Sequence, residues 1–252
     1  MIKMEDKLML QLSREERYIA LQGATNVRDI GGYETKSEYY TKAHRFIRSA
    51  STAKMTSSDC DKLYDYGVRH ILDLRSDYEI EHLPSCFISD DRFHYQSINI
   101  LESKTASVVP DDIMNYHDLS GFYIYIIEVH KAKIKEVFDV FAKHLYEGVL
   151  FHCSAGKDRT GVIAALLMDL AGCHEEDIIK DYSESYENNL AILDELEKMM
   201  EAEHSSVLGS SPTIMAAFLE YLREHYGSAK EYLISCGMQE EDIIDITQSF
   251  II

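Results

Sequence analysis

The sequence predicts an α/β protein: a mainly parallel central sheet flanked by helices, followed by a helical C-terminal section. Two short apolar runs, at 70–74 and 148–151, read as buried strands. Helical spacing fills the ground between them, and after Gly172 the pattern is helical almost to the end. Strands that alternate with helices pair in parallel, with helices on both faces. Ligands of such sheets bind at the carboxyl ends of the strands. The 252 residues fit one unit over 1–252, with a core at about 22–175 and a helical part at about 176–252.

Residues 1–25 read as an irregular or partly helical lead, in which Ser13 and Glu16 stand at capping-box spacing. The segment Asn26-Val27-Arg28-Asp29-Ile30-Gly31-Gly32-Tyr33 follows, and its paired glycines call for a tight turn or unusual backbone angles. HRFIRSA at 44–50 reads as a short strand. Thr56 to Tyr66 reads as a helix, with Ser58 and Asp61 at capping-box spacing and Gly67 as its stop. His70-Ile71-Leu72-Asp73-Leu74 is a buried strand ending in a loop, and RFHYQSINI at 92–100 alternates as a further strand. The stretch 101–118 is polar, contains Pro110 and has no period, which marks a mobile loop. Residues 119–145 carry helical spacing through Phe122, Ile126, Val129, Ile134, Val137 and Phe141. Gly148 to Phe151 is the second buried strand. Gly161 to Ala171, apolar on nearly every side, is a core helix. Helices are then predicted at 175–203, from Ser211-Pro212 to Tyr226, at 228–235 and at 239–250. GCHEEDII at 172–179 and GMQEEDII at 237–244 repeat a helix junction, with Gly ending one helix and acids opening the next.

The formal net charge is −19, a field that repels nucleic acid and anionic lipid. A phosphate site here must therefore be locally positive. The five cysteines are odd in number, widely spaced and without a CxxC pair, so neither a disulfide framework nor a zinc site is predicted. The histidines show no ligand spacing. No metal and no cofactor is expected. The first residues lack the apolar stretch of a signal peptide, and no run is long enough to span a bilayer. The expected location is the cytoplasm, with secretion lacking a cleavable signal left open.

The chemistry sits in Phe151-His152-Cys153-Ser154-Ala155-Gly156-Lys157-Asp158-Arg159-Thr160-Gly161, which joins a buried strand to a buried helix. A short loop curling before a helix N-terminus turns successive N–H groups toward one point and makes an anion nest. A cysteine at the mouth of such a nest is held as the thiolate. Arg159 can grip two oxygens of a bound phosphate with its planar fork, and Lys157 adds a point charge. The nest binds the dianion and stabilises the charge of transfer. Cys153 is therefore the candidate nucleophile and Arg159 the clamp, with Ser154, Ala155, Gly156, Lys157, Asp158, Arg159 and Thr160 around the phosphate. Asp158 is a candidate acid for the leaving group, with Asp111, Asp112 and Asp118 as rivals. Thr160 has a hydroxyl to offer the sulfur. The Walker pattern fails, since Phe151 and Asp158 stand where Gly and Ser or Thr are needed.

HCSAGKDRTG resembles the HCxxGxxR[ST] signature of the protein tyrosine phosphatase superfamily. With NVRDIGGY at 26–33, RSA at 48–50, DLRS at 73–76 and the C-terminal HYGSAKEYLISCGM, it is similar to one branch. That branch is the bacterial tyrosine/dual-specificity phosphatases of the mycobacterial PtpB type and the Listeria LipA type. The resemblance implies a cysteine-phosphatase-like fold and a metal-independent phosphoric monoester hydrolase. The substrate would be phosphotyrosine in a phosphorylated protein, hydrolysed through a phosphocysteine intermediate. It leaves dual-specificity or phosphoinositide hydrolysis as an alternative. It also makes Lys157 and Asp158 the branch's added loop residues and Asp158 the proposed acid. The chain has no Trp and no WPD segment. A non-catalytic phosphate-binding module and rhodanese-like sulfur transfer share the cysteine in a nest, but the neighbouring motifs do not resemble theirs. Phosphate or sulfate is the anion expected in the loop.

Elsewhere, ordinary structural roles are expected. His152 should order backbone hydrogen bonds. Asp73 and Arg75 should pair structurally, for instance with Arg28 or Asp29. DELEKMMEAEHS at 194–205 reads as a solvated helix face, and Phe218, Leu222 and Tyr232 as core or cover.

Overall fold

The computed structural model describes residues 10–102, 119–190 and 209–252. A four-residue helix α1 (Arg14–Arg17) is capped by Ser13 and Glu16 as the spacing predicts. Five strands then form one sheet: β1 (Arg28–Asp29), β2 (Phe46–Ser49), β3 (Val68–Asp73), β4 (His94–Ser97) and β5 (Gly148–His152), in the order β1-β2-β5-β3-β4. Only β1 pairs antiparallel; the other neighbours are parallel. After β4 the chain turns back, and the last strand enters between β2 and β3 at the centre of the sheet. Ligands of such sheets bind beyond the carboxyl ends of the strands.

Alternation along each strand decides which face a side chain covers. Phe46, Leu72, Val149 and Phe151 face one apolar cluster; Ile47, Ile71 and Leu150 face the other. The second face is covered by α2 (Ser57–Asp65) and by the 3₁₀ turn Cys86–Ser89. The first face takes the larger helical layer: α4 (Leu119–Val129), α5 (Lys131–Lys143), α6 (Asp158–Leu170), α7 (Glu175–Asn188), α8 (Pro212–Tyr226), α9 (Ala229–Ser235) and α10 (Glu240–Phe250). The short α3 (Asp77–His82) follows β3.

Several elements differ from the sequence expectation: α7 ends at Asn188, where one helix is expected over 175–203, and β1 lies in a segment expected only to turn. The cap of α2 is Thr56 with Asp59, not Ser58 with Asp61. The helical spacing over 119–145 is divided at His130, because its halves serve different neighbours: α4 packs on α8, and α5 on α10. The predicted strand over 92–100 narrows to His94–Ser97. Helix α3 was not predicted, although Ser76 and Glu79 form a capping box there. The predicted loop 101–118 and the acidic face 194–205 lie largely outside the described residues. None of the described helices is long and apolar enough to cross a membrane.

Candidate active site

The loop from Cys153 to Arg159 leaves the carboxyl end of β5 and enters α6 directly. Its curvature is set by what holds its carbonyls. The Ser154 carbonyl accepts from the Ser51 amide at 2.9 Å. The Ala155 carbonyl accepts from Asn26 Nδ2 at 3.0 Å and Asn189 Nδ2 at 2.9 Å. The Gly156 carbonyl accepts from Arg48 Nη2 at 2.8 Å and Asn26 Nδ2 at 3.1 Å. In a trans peptide the N–H of the next residue points the opposite way. With three successive carbonyls pulled outward, the amides of Ala155, Gly156 and Lys157 are turned to the inside of the loop. Helix α6 begins with no side-chain cap, so its first N–H groups add to the same concavity. Gly156 has φ of +64°, and a Cβ there would lie 2.3 Å from the Ser49 carbonyl oxygen. No other residue type fits that close approach.

The supports come from far along the chain, which explains motifs that sequence alone left without a task. Asn26, itself at a φ of +58°, holds two loop carbonyls. Arg28 and Arg48 flank Asp181 of α7. Arg28 Nε donates to it at 2.9 Å, and Arg48 Nη1 makes a short contact with its other oxygen. All three are buried. Burial alone would raise the Asp181 carboxyl, but the two guanidinium groups outweigh it and draw it down to about 2. Asp181 thereby anchors Arg48, and Arg48 anchors the loop.

Cys153 is 2 % exposed at the base of the loop. Arg159 is held by Glu79 of α3, with Nη1 to Oε2 at 2.7 Å and Nη2 to Oε1 at 2.9 Å. Ser154 Oγ also donates to Glu79. Burial would raise the Glu79 carboxyl; its bonds to Arg159, Ser154 and Ser76 prevail and lower it to about 2. Burial works against the Arg159 charge, and Glu79 more than restores it. Sequence reasoning missed both Glu79 and Asp181. The Ser76–Glu79 capping spacing was a legible signal for the first; a single Asp within a helix gave none for the second.

Asp158 accepts from Tyr123 Oη at 2.7 Å, and Tyr123 in turn meets Tyr182 Oη at 2.7 Å. Burial and the neighbouring Asp158 push Tyr123 far above the usual phenol range, so it remains a donor. Lys157 donates to the Gly209 carbonyl at 3.1 Å and lies 3.4 Å from Asp158. The Thr160 hydroxyl is buried and has no hydrogen-bond partner among the described residues. Asp111, Asp112 and Asp118 lie outside the described residues.

His152 is fully buried, and burial pushes its pKa below the usual value. It contacts the Cys153 carbonyl at 3.2 Å, Thr52 Oγ1 at 3.3 Å and Asp73 at 3.4 Å. Asp73 and Arg75 pair with each other at 2.7 Å, not with Arg28 or Asp29. Arg75 also reaches the Leu83 carbonyl at 2.9 Å, so it staples the loop that leads into and out of α3.

A family model described as tyrosine phosphatase family matches residues 19–252. The chain belongs to the tyrosine phosphatase family. As a member it is an enzyme of phosphotyrosine hydrolysis. A tyrosine-protein phosphatase of Nostoc commune is 31% identical over 216 residues, covering 80% of this chain and 72% of that protein. The triple specificity protein phosphatase PtpB of Mycobacterium tuberculosis is 28% identical over 112 residues, 38% of this chain and 41% of that one. Among solved structures, P. aeruginosa TpbA is similar at a TM-score of 0.36 and 15% identity, over 79% of this tyrosine phosphatase and 91% of TpbA.

Proposed function

We propose that this tyrosine phosphatase works by covalent catalysis at Cys153 without a metal ion. The Cys153 thiolate attacks phosphorus, the ester P–O bond breaks, and the leaving phenolate takes a proton. Water then attacks the phosphocysteine, the S–P bond breaks, and phosphate leaves the regenerated thiolate. The observation that supports this reading is the anchoring of the Ser154, Ala155 and Gly156 carbonyls, which leaves the following amides to face the inside of the loop that begins at Cys153. Ser154, Ala155, Gly156, Lys157, Asp158, Arg159 and Thr160 surround the anion, with Arg159 as the bidentate group. Preorganised donors of this kind stabilise charge that builds on the equatorial oxygens. The buried Thr160 hydroxyl donates to the sulfur as it leaves.

Asp158 is the proposed acid, oriented by Tyr123. Leaving groups of different basicity test it. Asp158→Asn should slow phenyl phosphate far more than p-nitrophenyl phosphate, whose anion needs no proton. An equal loss on both removes Asp158 from that role. The mechanism as a whole is tested with Cys153→Ser, which should lose turnover of aryl phosphate and keep phosphate binding, while EDTA leaves the wild type active. Full activity of Cys153→Ser sinks it.

Broader specificity, toward phosphoserine, phosphothreonine or phosphoinositide, has support in the name of the mycobacterial relative. The bond from Lys157 to the Gly209 carbonyl works against a free cation for an inositol ring. Rates on a panel of phosphopeptides and phosphoinositides separate the two readings. The five unpaired cysteines fit a reducing compartment, in keeping with a cytoplasmic protein.

A further inference from the structure

The amino ends of the same strands carry a second polar cluster. His70 lies near the start of β3, His94 begins β4, and His144 and Glu147 stand in the turn between α5 and β5. The rings of His70 and His144 are stacked with centroids 3.6 Å apart, and His94 stacks against His70 at 5.0 Å. His70 Nε2 lies 2.6 Å from a Glu147 oxygen. A cavity of about 180 Å³ opens beside them, bordered by His70, His94, Tyr95 and His144. Lys143 also borders it, on an exposed side chain.

An ordinary surface ion pair uses one imidazole and one carboxylate. This cluster gathers three imidazoles, with His70 buried and His144 half-buried. One ligand atom each from His70, His144 and Glu147 lie within 4.8 Å of one another. A tetrahedral ion with bonds of about 2.0–2.2 Å needs ligand atoms roughly 3.3 Å apart. For one ion to take all three, the His70–Glu147 pair at 2.6 Å must open slightly, and His144, now stacked on His70 with its ligand atom within 4.8 Å of theirs, must turn toward the same point. We infer that His70, His144 and Glu147 form a site for a divalent transition-metal ion of the zinc class, with a fourth position open to solvent. Mixed imidazole and carboxylate donors suit zinc, whereas magnesium and calcium prefer oxygen alone.

Sequence spacing hid the site, because His70 comes from a strand more than 70 residues before the turn that carries the other two. The pairing of β3 with β5 joins them. From Glu147 to Cys153 the strand runs six residues, about 20 Å at the usual rise. The ion is therefore remote from the catalytic loop. It ties the α5–β5 turn to β3.

The test is calorimetric titration of ZnCl₂ into the untagged full chain carrying Cys153→Ser, which removes the active-site thiol as a competing ligand. At least one equivalent should bind with a micromolar or tighter Kd, and zinc but not MgCl₂ should raise the thermal midpoint. His144→Ala and, separately, Glu147→Gln should each lose one equivalent or weaken it at least tenfold, with far-ultraviolet circular dichroism showing a folded chain. The inference is overturned if zinc does not bind stoichiometrically. It is equally overturned if both variants bind as the parent does, which would place the ion elsewhere, for instance at Cys60 and Cys86.

Discussion

At their carboxyl ends, β3 and β5 deliver Asp73, His152 and Cys153 to a loop lined with N–H groups. At their amino ends the same two strands gather His70 and Glu147, which offer lone pairs. The anion end takes its shape from the backbone and needs help from four separate stretches of chain, through Asn26, Arg48, Glu79, and Asp181 together with Asn189. The cation end needs side chains alone, supplied by one strand and one turn. Backbone amides cannot be aimed without fixing their carbonyls, so binding an anion this way demands a large buried support. Side-chain ligands carry their own flexibility and need little behind them.

The sharpest way to break that contrast is Arg159→Lys. It keeps the charge and removes the fork, and kcat/KM should fall about 10²–10³-fold on aryl phosphate. A drop of only a fewfold would mean that charge suffices without geometry. Next in size, Asp181→Asn leaves Arg28 and Arg48 buried without their counterion. Removing one partner of such a buried set costs about 3–5 kcal/mol, read as a lower midpoint in urea. Activity should fall with it, because Arg48 no longer fixes Gly156. Glu79→Gln is milder. It retains an acceptor for Arg159 but not the charge, and kcat/KM should drop about tenfold, the difference between charged and neutral hydrogen bonds. None of the three should alter zinc uptake at the far end, since sites this distant act independently.

The smallest effect is on acid stability. Glu79 and Asp181 are both depressed to about 2 in the folded chain. Unfolded carboxyls titrate at about 4. Their contribution is therefore complete above about pH 4 and is lost as pH falls toward 2. Unfolding followed between pH 5 and pH 2 should steepen in that window, and Asp181→Asn should flatten it.

The parts of the site that lie close together in sequence were legible there. Cys153, Gly156 and Arg159 share one loop, and their spacing announces what the loop can hold. The centre of the sheet was legible because β3 and β5 are apolar runs bounded by helical patterns, whereas β1 and the exposed β4 are not apolar. What escaped was whatever the fold alone brings together. Asp181 is one acid among several in α7, and nothing local distinguishes it from Asp177. The division of the 119–145 stretch at His130 escaped too, since neither Pro nor Gly marks it; the change of packing partner does. His70 and His144 were invisible for the same reason as Asp181.

The ties from Asn26, Arg48 and Asn189 to the loop have a consequence for how the enzyme comes to life. Cys153 and Arg159 leave the ribosome together, but one of the clasps that round the loop, Asn189, emerges some thirty residues later. A nascent chain stopped at Thr160 would carry the whole signature and remain inert. The loop is rounded only when Asn26 from the beginning of the chain and Asn189 after α7 meet at the Ala155 carbonyl, which cannot happen before most of the chain is built.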